Sequence, residues 1–187
     1  MAVLLLADPA AVQADAIGVE TIVIAMHLHE ETLELGERYP RRLDRRGRFI
    51  LMPGLEAYYD LALEDGPLGI DHLRTTFGQY RDSMDKRSGY LAMMARWENT
   101  LTDNWDWGIY LGPMLLFRES WRDIEGYNDD RFYSESEKFM PGYQYVWYPG
   151  GKLELLYHWN SDTQAVLSLV PGLPFVLVHY AGMRWSF

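Results

Sequence analysis

The chain has 187 residues, 48% of them hydrophobic and 14% aromatic, with no cysteine and a formal net charge of −10. This composition excludes a disordered chain, a disulfide scaffold and any thiolate metal site. No run approaches the roughly 18 apolar residues of a membrane-spanning helix.

Length alone predicts one globular domain over 1–187. Met1-Ala2-Val3-Leu4-Leu5-Leu6-Ala7-Asp8 is apolar but has no basic n-region, so no signal peptide is expected. Together these features predict a soluble cytoplasmic protein with no membrane contact and no cofactor.

Val3 to Leu6 reads as a short strand. Asp8-Pro9 caps a helical turn over Ala10 to Ala16, with Gly18 as its stop. Glu20 to His29 contains Thr21, Ile22, Val23 and Ile24, and these β-branched residues predict a strand. Thr32 to Tyr39 is a candidate partner strand. A basic loop from Pro40 to Arg48 leads into a strand over Phe49 to Met52. Pro53 then opens a short helix to Leu63, closed by Asp65-Gly66-Pro67.

The middle of the chain carries apolar residues at helical spacing. Ile70, Leu73, Phe77, Tyr80 and Met84 form one stripe, and Tyr90, Met94, Trp97 and Leu101 form another. They predict an antiparallel helix pair over about 69–102, which packs on one face of a sheet. Ile109 to Phe117 reads as a strand, and Asp123 to Lys138 as the longest loop.

The carboxy-terminal third supplies the sheet. Tyr143 to Tyr148 and Lys152 to Tyr157 flank Pro149-Gly150-Gly151, and a three-residue hairpin there pairs Tyr145 with Leu155. Gln164 to Val170 and Phe175 to Tyr180 flank Pro171-Gly172-Leu173-Pro174, a second hairpin. Ser161 and Gln164 also resemble a capping box, which leaves a short helix over Gln164 to Val170 open. Strands, helices, then strands define an α+β fold with a mainly antiparallel sheet.

Charge is unevenly spread. Arg38, Arg41, Arg42, Arg45, Arg46 and Arg48 hold six of the 17 basic residues, and the other 11 face a large acidic excess. Such a surface repels phosphate backbones and excludes nucleic acid. It favours another protein with a basic surface as partner. Trp105, Asp106 and Trp107, with Asp123, Glu125, Asp129 and Asp130, are the candidate partner-binding residues, since tryptophan dominates binding hot spots.

The metal alternative rests on His27, His29 and Glu34. A strand over Glu20 to His29 projects both imidazoles from one face. His-x-His-x4-Glu resembles the first metal-binding motif of cupins over eight positions. Arg41 and Thr21 stand where cupins carry glycines, and the second cupin motif is missing. The resemblance implies a metal site at His27, His29 and Glu34; with His158 or His179 as the candidate to complete the shell, the alternative is a metal-dependent enzyme. No Gly-x-Ser-x-Gly, P-loop or dinucleotide-binding glycine motif occurs. The first expectation is therefore a non-catalytic intracellular binding module, of the inhibitor or immunity-protein kind.

Overall fold

A computed structural model describes residues 16–27, 49–82, 85–120, 134–135, 141–172 and 176–187. Among them every long element is a strand: β1 (Ala16–His27), β2 (Phe49–Ala62), β3 (His72–Arg81), β4 (Arg87–Thr102), β5 (Trp105–Glu119), β6 (Ser134–Glu135), β7 (Tyr143–His158), β8 (Thr163–Gly172) and β9 (Val176–Ser186). Neighbours in sequence pair antiparallel from β1 to β5 and from β7 to β9. β1 also pairs with β9, and β5 pairs with β7. Eight strands thus close into an up-and-down barrel, with the two-residue β6 added beside β7. Closure leaves no unpaired edge in the ring.

The expected helix pair over about 69–102 is two strands, β3 and β4, in continuous register from His72↔Arg96 to Arg81↔Arg87. The α+β expectation is overturned: the fold is all-β. Both stripes split across the wall. Leu73 and Phe77 share the outer face, while Tyr80 lies on the inner one; Met94 is buried inside while Leu101 is exposed. A second period runs through the same residues. His72, Arg74 and Thr76 alternate with Leu73, Thr75 and Phe77, and this period of two is the one the backbone adopts.

The helix expected from Pro53 to Leu63 is likewise strand, within β2. A 3-10 turn at Pro67–Gly69 follows it. The hairpin expected at Pro149-Gly150-Gly151 does not form. These residues lie in the middle of β7, which runs straight through from Tyr143 to His158. Pro149 sits opposite Pro113, and Gly150 opposite Gly112. Proline offers no N–H, so two prolines facing each other suit a pair that exchanges no ladder hydrogen bonds. β8 and β9 pair as a hairpin, but Pro171 and Gly172, expected in its turn, lie in the ladder opposite Leu177 and Val176, and 164–170 is strand rather than helix. The segments 1–15 and 28–48 lie outside the described residues, and with them the expected first strand and helical turn and the Thr32 to Tyr39 strand.

The β1 ladders to β2 and β9 break register at Ile22/Ile24 and Glu20/Ile24, a bulge. Thr21 bridges the gap there, its Oγ1 accepting from the Met183 N–H at 3.0 Å. Gly182 makes this approach feasible, since a Cβ on it would lie 1.7 Å from the Thr21 carbonyl oxygen.

The two ends of the barrel differ. At one end the connections are 63–71, 103–104 and 159–162; at the other they are 28–48, 82–86, 120–142 and 173–175. The two longest intervals between ring strands, 28–48 and 120–142, therefore both begin and end at one rim.

Candidate functional site

Inside and outside follow residue parity. On β2 to β5 and β7 to β9, and on β1 from Ala16 to Ile22, the described even-numbered side chains point inward and the odd-numbered ones outward. This is the period of two expected of a pleated strand. Its polarity is the reverse of that in a water-soluble protein.

The inner face carries charges. Glu20, Glu56, Asp60, Arg74, Arg96, Lys152, Glu154 and Arg184 are all buried. Arg184 bridges two acids, with Nη2 2.6 Å from Glu20 Oε2 and 2.6 Å from Glu154 Oε2. Lys152 Nζ sits 2.6 Å from Glu154 and 3.6 Å from Glu20. Glu56 lies 4.0 Å from the same ammonium and accepts a hydrogen bond from the Tyr90 hydroxyl.

Nearer the short-turn rim, Arg74 grips Asp60 in a bidentate pair at 2.7 and 2.6 Å. Arg96 reaches the same carboxylate at 2.9 Å and Glu98 at 2.5 Å. Aromatic rings fill the spaces between, with the Arg74 guanidinium 3.9 Å from the Tyr58 ring centroid and 5.1 Å from that of Tyr110. Nη1 of Arg74 and of Arg184 has no hydrogen-bond partner among the described residues. Stacking on an aromatic face offsets part of that loss.

In mid-barrel the lumen has an apolar layer, with Ala92, Met94 and Met114 packed on Tyr110, and beyond it towards the long-loop rim Asp82, Ser88, Arg118 and Gln144 are buried. An eight-stranded barrel leaves an interior just wide enough for side chains to fill. Here they fill it with paired charges, aromatic rings and methionines. A cavity of about 310 Å³ remains at the short-turn mouth, lined by Asp60, His72, Arg74, Arg96, Asp106 and His158 among others. It is a vestibule over the ion pairs. Chemically, the lumen is a brace and not an open pore.

The outer face carries apolar residues. Ile17, Leu55, Leu61, Phe77, Leu91, Met93, Leu111, Trp147, Leu153 and Leu167 are exposed. Arg81, Arg87 and Glu119 are the only charged side chains among the described outward positions of the strands, and all three lie at the long-loop rim. Aromatic residues gather near the opposite rim, where the Trp105 and Tyr157 rings lie 5.0 Å apart and Tyr157 meets Trp159 at 6.3 Å.

The expected partner-binding patch is divided by this wall. Trp105 and Trp107 face outward on β5, as part of the aromatic rim. Asp106 faces inward, 2.5 Å from His158 Nε2. Asp123, Glu125, Asp129 and Asp130 lie outside the described residues. So do His29 and Glu34 of the expected metal centre, while His27 ends β1 with its backbone opposite Val178. His158, expected to complete that centre, is engaged by Asp106 and by Gln164 at 3.3 Å. No cluster of metal-ligating residues occurs among the described residues.

None of the buried charges stood out in the sequence. Their signal was available: Val19-Glu20-Thr21, Leu73-Arg74-Thr75, Leu153-Glu154-Leu155 and Met183-Arg184-Trp185 each set one charge between two uncharged residues.

Fold and polarity together define the class: a closed eight-stranded antiparallel barrel with a charged inside and an apolar outside. This finding overturns the expected cytoplasmic, membrane-free binding module with a basic protein partner, and with it the metal-enzyme alternative. A protein that exposes such a continuous apolar wall to water would aggregate.

Among solved structures, the chain resembles Ail, the attachment invasion locus protein of Yersinia pestis. The TM-score is 0.45 at 11% identity, covering 92% of this chain and 97% of that one. It also resembles the N-terminal β-barrel domain of Pseudomonas aeruginosa OprF, with a TM-score of 0.43 at 10% identity and coverage of 92% and 97%. No protein-family model matches the chain, and no curated protein matches it.

Proposed function

We propose that this chain is a membrane-spanning β-barrel of the outer-membrane type, a closed scaffold that presents its long connections at one face. The observation that carries this reading is the outer wall, whose only charged residues among the described positions are the three at one rim. In a bilayer every backbone polar group must be satisfied internally, and a closed barrel meets that demand.

Strand length agrees. A tilted strand spans the hydrocarbon with about 9–11 residues, and the eight ring strands run from 10 to 16. The two longest intervals between ring strands fall on one side, in keeping with the usual asymmetry of such barrels, whose longer loops face outward from the cell. No described helix is long and apolar enough to cross a membrane, which leaves crossing by strands untouched. The braced lumen makes the barrel a support and not a conduit.

Flotation tests the proposal. Refolded with phosphatidylcholine vesicles, the protein is expected to rise with the lipid in a density gradient and to stay there after an alkaline carbonate wash. Folded β-protein left at the bottom of the gradient would contradict it.

A further inference from the structure

We propose that Arg81 and Arg87 form a site for the phosphate group of a membrane lipid, on the lipid-facing wall at the long-loop rim. The inference rests on the membrane reading above.

Arg81 and Arg87 are direct cross-strand partners, and both point outward. Like charges directly opposite each other destabilise a sheet. On an apolar wall they call for an anion from outside. Among the described outward strand positions one acid is near: Glu119 sits opposite, with its Oε1 3.8 Å from Arg87 Nε and its Oε2 accepting the Arg87 backbone N–H at 3.0 Å. The Arg87 side chain remains 68% exposed beside it, so this loose pair leaves most of its charge available. Arg81 donates through Nη1 to the Asp85 carbonyl at 3.0 Å, which holds the guanidinium at the rim.

Beside the pair, at the rim, lies a cavity of about 390 Å³ lined by both arginines, Gln79, Phe117 and Tyr143 from the outer face and by Tyr80 and Ser88 from the inner one. Phe117 stacks on Phe77 at 6.3 Å further down the wall. From rim to middle the wall therefore carries the two cations level with Tyr143, then Gln79 and Phe117 side by side, then Phe77 and Leu91. A phospholipid presents the matching order of phosphate, ester and acyl chain. Guanidinium groups suit phosphate oxygens because their donors form a planar fork.

The test uses spin-labelled phosphatidic acid and spin-labelled phosphatidylcholine with the full chain in phosphatidylcholine vesicles. Phosphatidic acid is expected to be immobilised with a preference of about tenfold. In R81Q/R87Q the preference should fall to near parity, while the immobilised phosphatidylcholine is unchanged. Each single variant should lose about threefold, which keeps the test readable if the double variant does not insert. A preference unaltered by these substitutions overturns the proposal. So does its erasure by inorganic phosphate at constant ionic strength, which would mark a site for a free oxyanion. Failure to float with the vesicles would instead sink the membrane reading itself.

Discussion

Leu111→Arg should destabilise the barrel by about 2–4 kcal/mol, the cost of an arginine on the lipid face near the bilayer midplane. Leu111 lies in the middle of β5, points outward and is 54% exposed. In a water-soluble protein an arginine at so exposed a position changes stability by only about 0.5 kcal/mol in either direction. Bilayer and water therefore predict different results for one substitution. Ile17→Arg supplies the internal control. Ile17 is also exposed, but it stands at the start of β1 near the short-turn rim. There the cost should drop to about 0–1 kcal/mol. Equilibrium unfolding in urea, in the presence of vesicles, measures both. Equal and negligible effects would mean that water, and not lipid, surrounds the wall.

The second large effect is expected inside. Arg184→Met removes the cation that bridges Glu20 and Glu154, each at 2.6 Å, and leaves buried carboxylate charge without its partner. Breaking one side of a buried pair typically costs about 3–5 kcal/mol. The double variant Glu20→Gln with Arg184→Met removes one charge of each sign. It leaves Lys152 and Glu154 still paired at 2.6 Å. It should therefore be more stable than the sum of the single losses allows, with the shortfall measuring the coupling. Strict additivity would show that these groups do not act as a unit. The same unfolding assay reads this cycle.

How much of this was legible in the sequence depended on which side of the wall was assumed to be wet. Strands are readable where β-branched residues mark them, as in Thr21 to Ile24. β3 and β4 were misread because Leu73 and Phe77, or Met94 and Trp97, also fall at helical spacing. With water assumed outside, such residues must gather on one buried stripe. In the barrel Leu73 and Phe77 face out, and the buried side belongs to Arg74 and Thr76.

Pro149-Gly150-Gly151 misled for a related reason. A proline and two glycines signal a turn in an open hairpin, but in this ring they sit opposite Pro113, Gly112 and Leu111 in a continuous ladder.

The site was hidden by the same assumption. Glu154 between Leu153 and Leu155 reads as a solvated residue when water is placed outside, although it is almost fully buried, while Leu153 is 45% exposed. The His27-Leu28-His29 spacing draws attention as chemistry, yet the described charges that organise the structure lie singly or two to a strand on several strands. Only the closed topology brings Glu20, Glu56, Lys152, Glu154 and Arg184 together.

Tryptophan quenching by phospholipids brominated on their acyl chains tests the inverted polarity most directly. Trp97, Trp105, Trp107, Trp147 and Trp185 all occupy outward strand positions. Emission should fall strongly in brominated vesicles and shift to shorter wavelength relative to the unfolded chain. Emission unaffected by bromine, from a protein whose circular dichroism shows folded β-structure, would place these indoles in water and end the case for a lipid-facing wall.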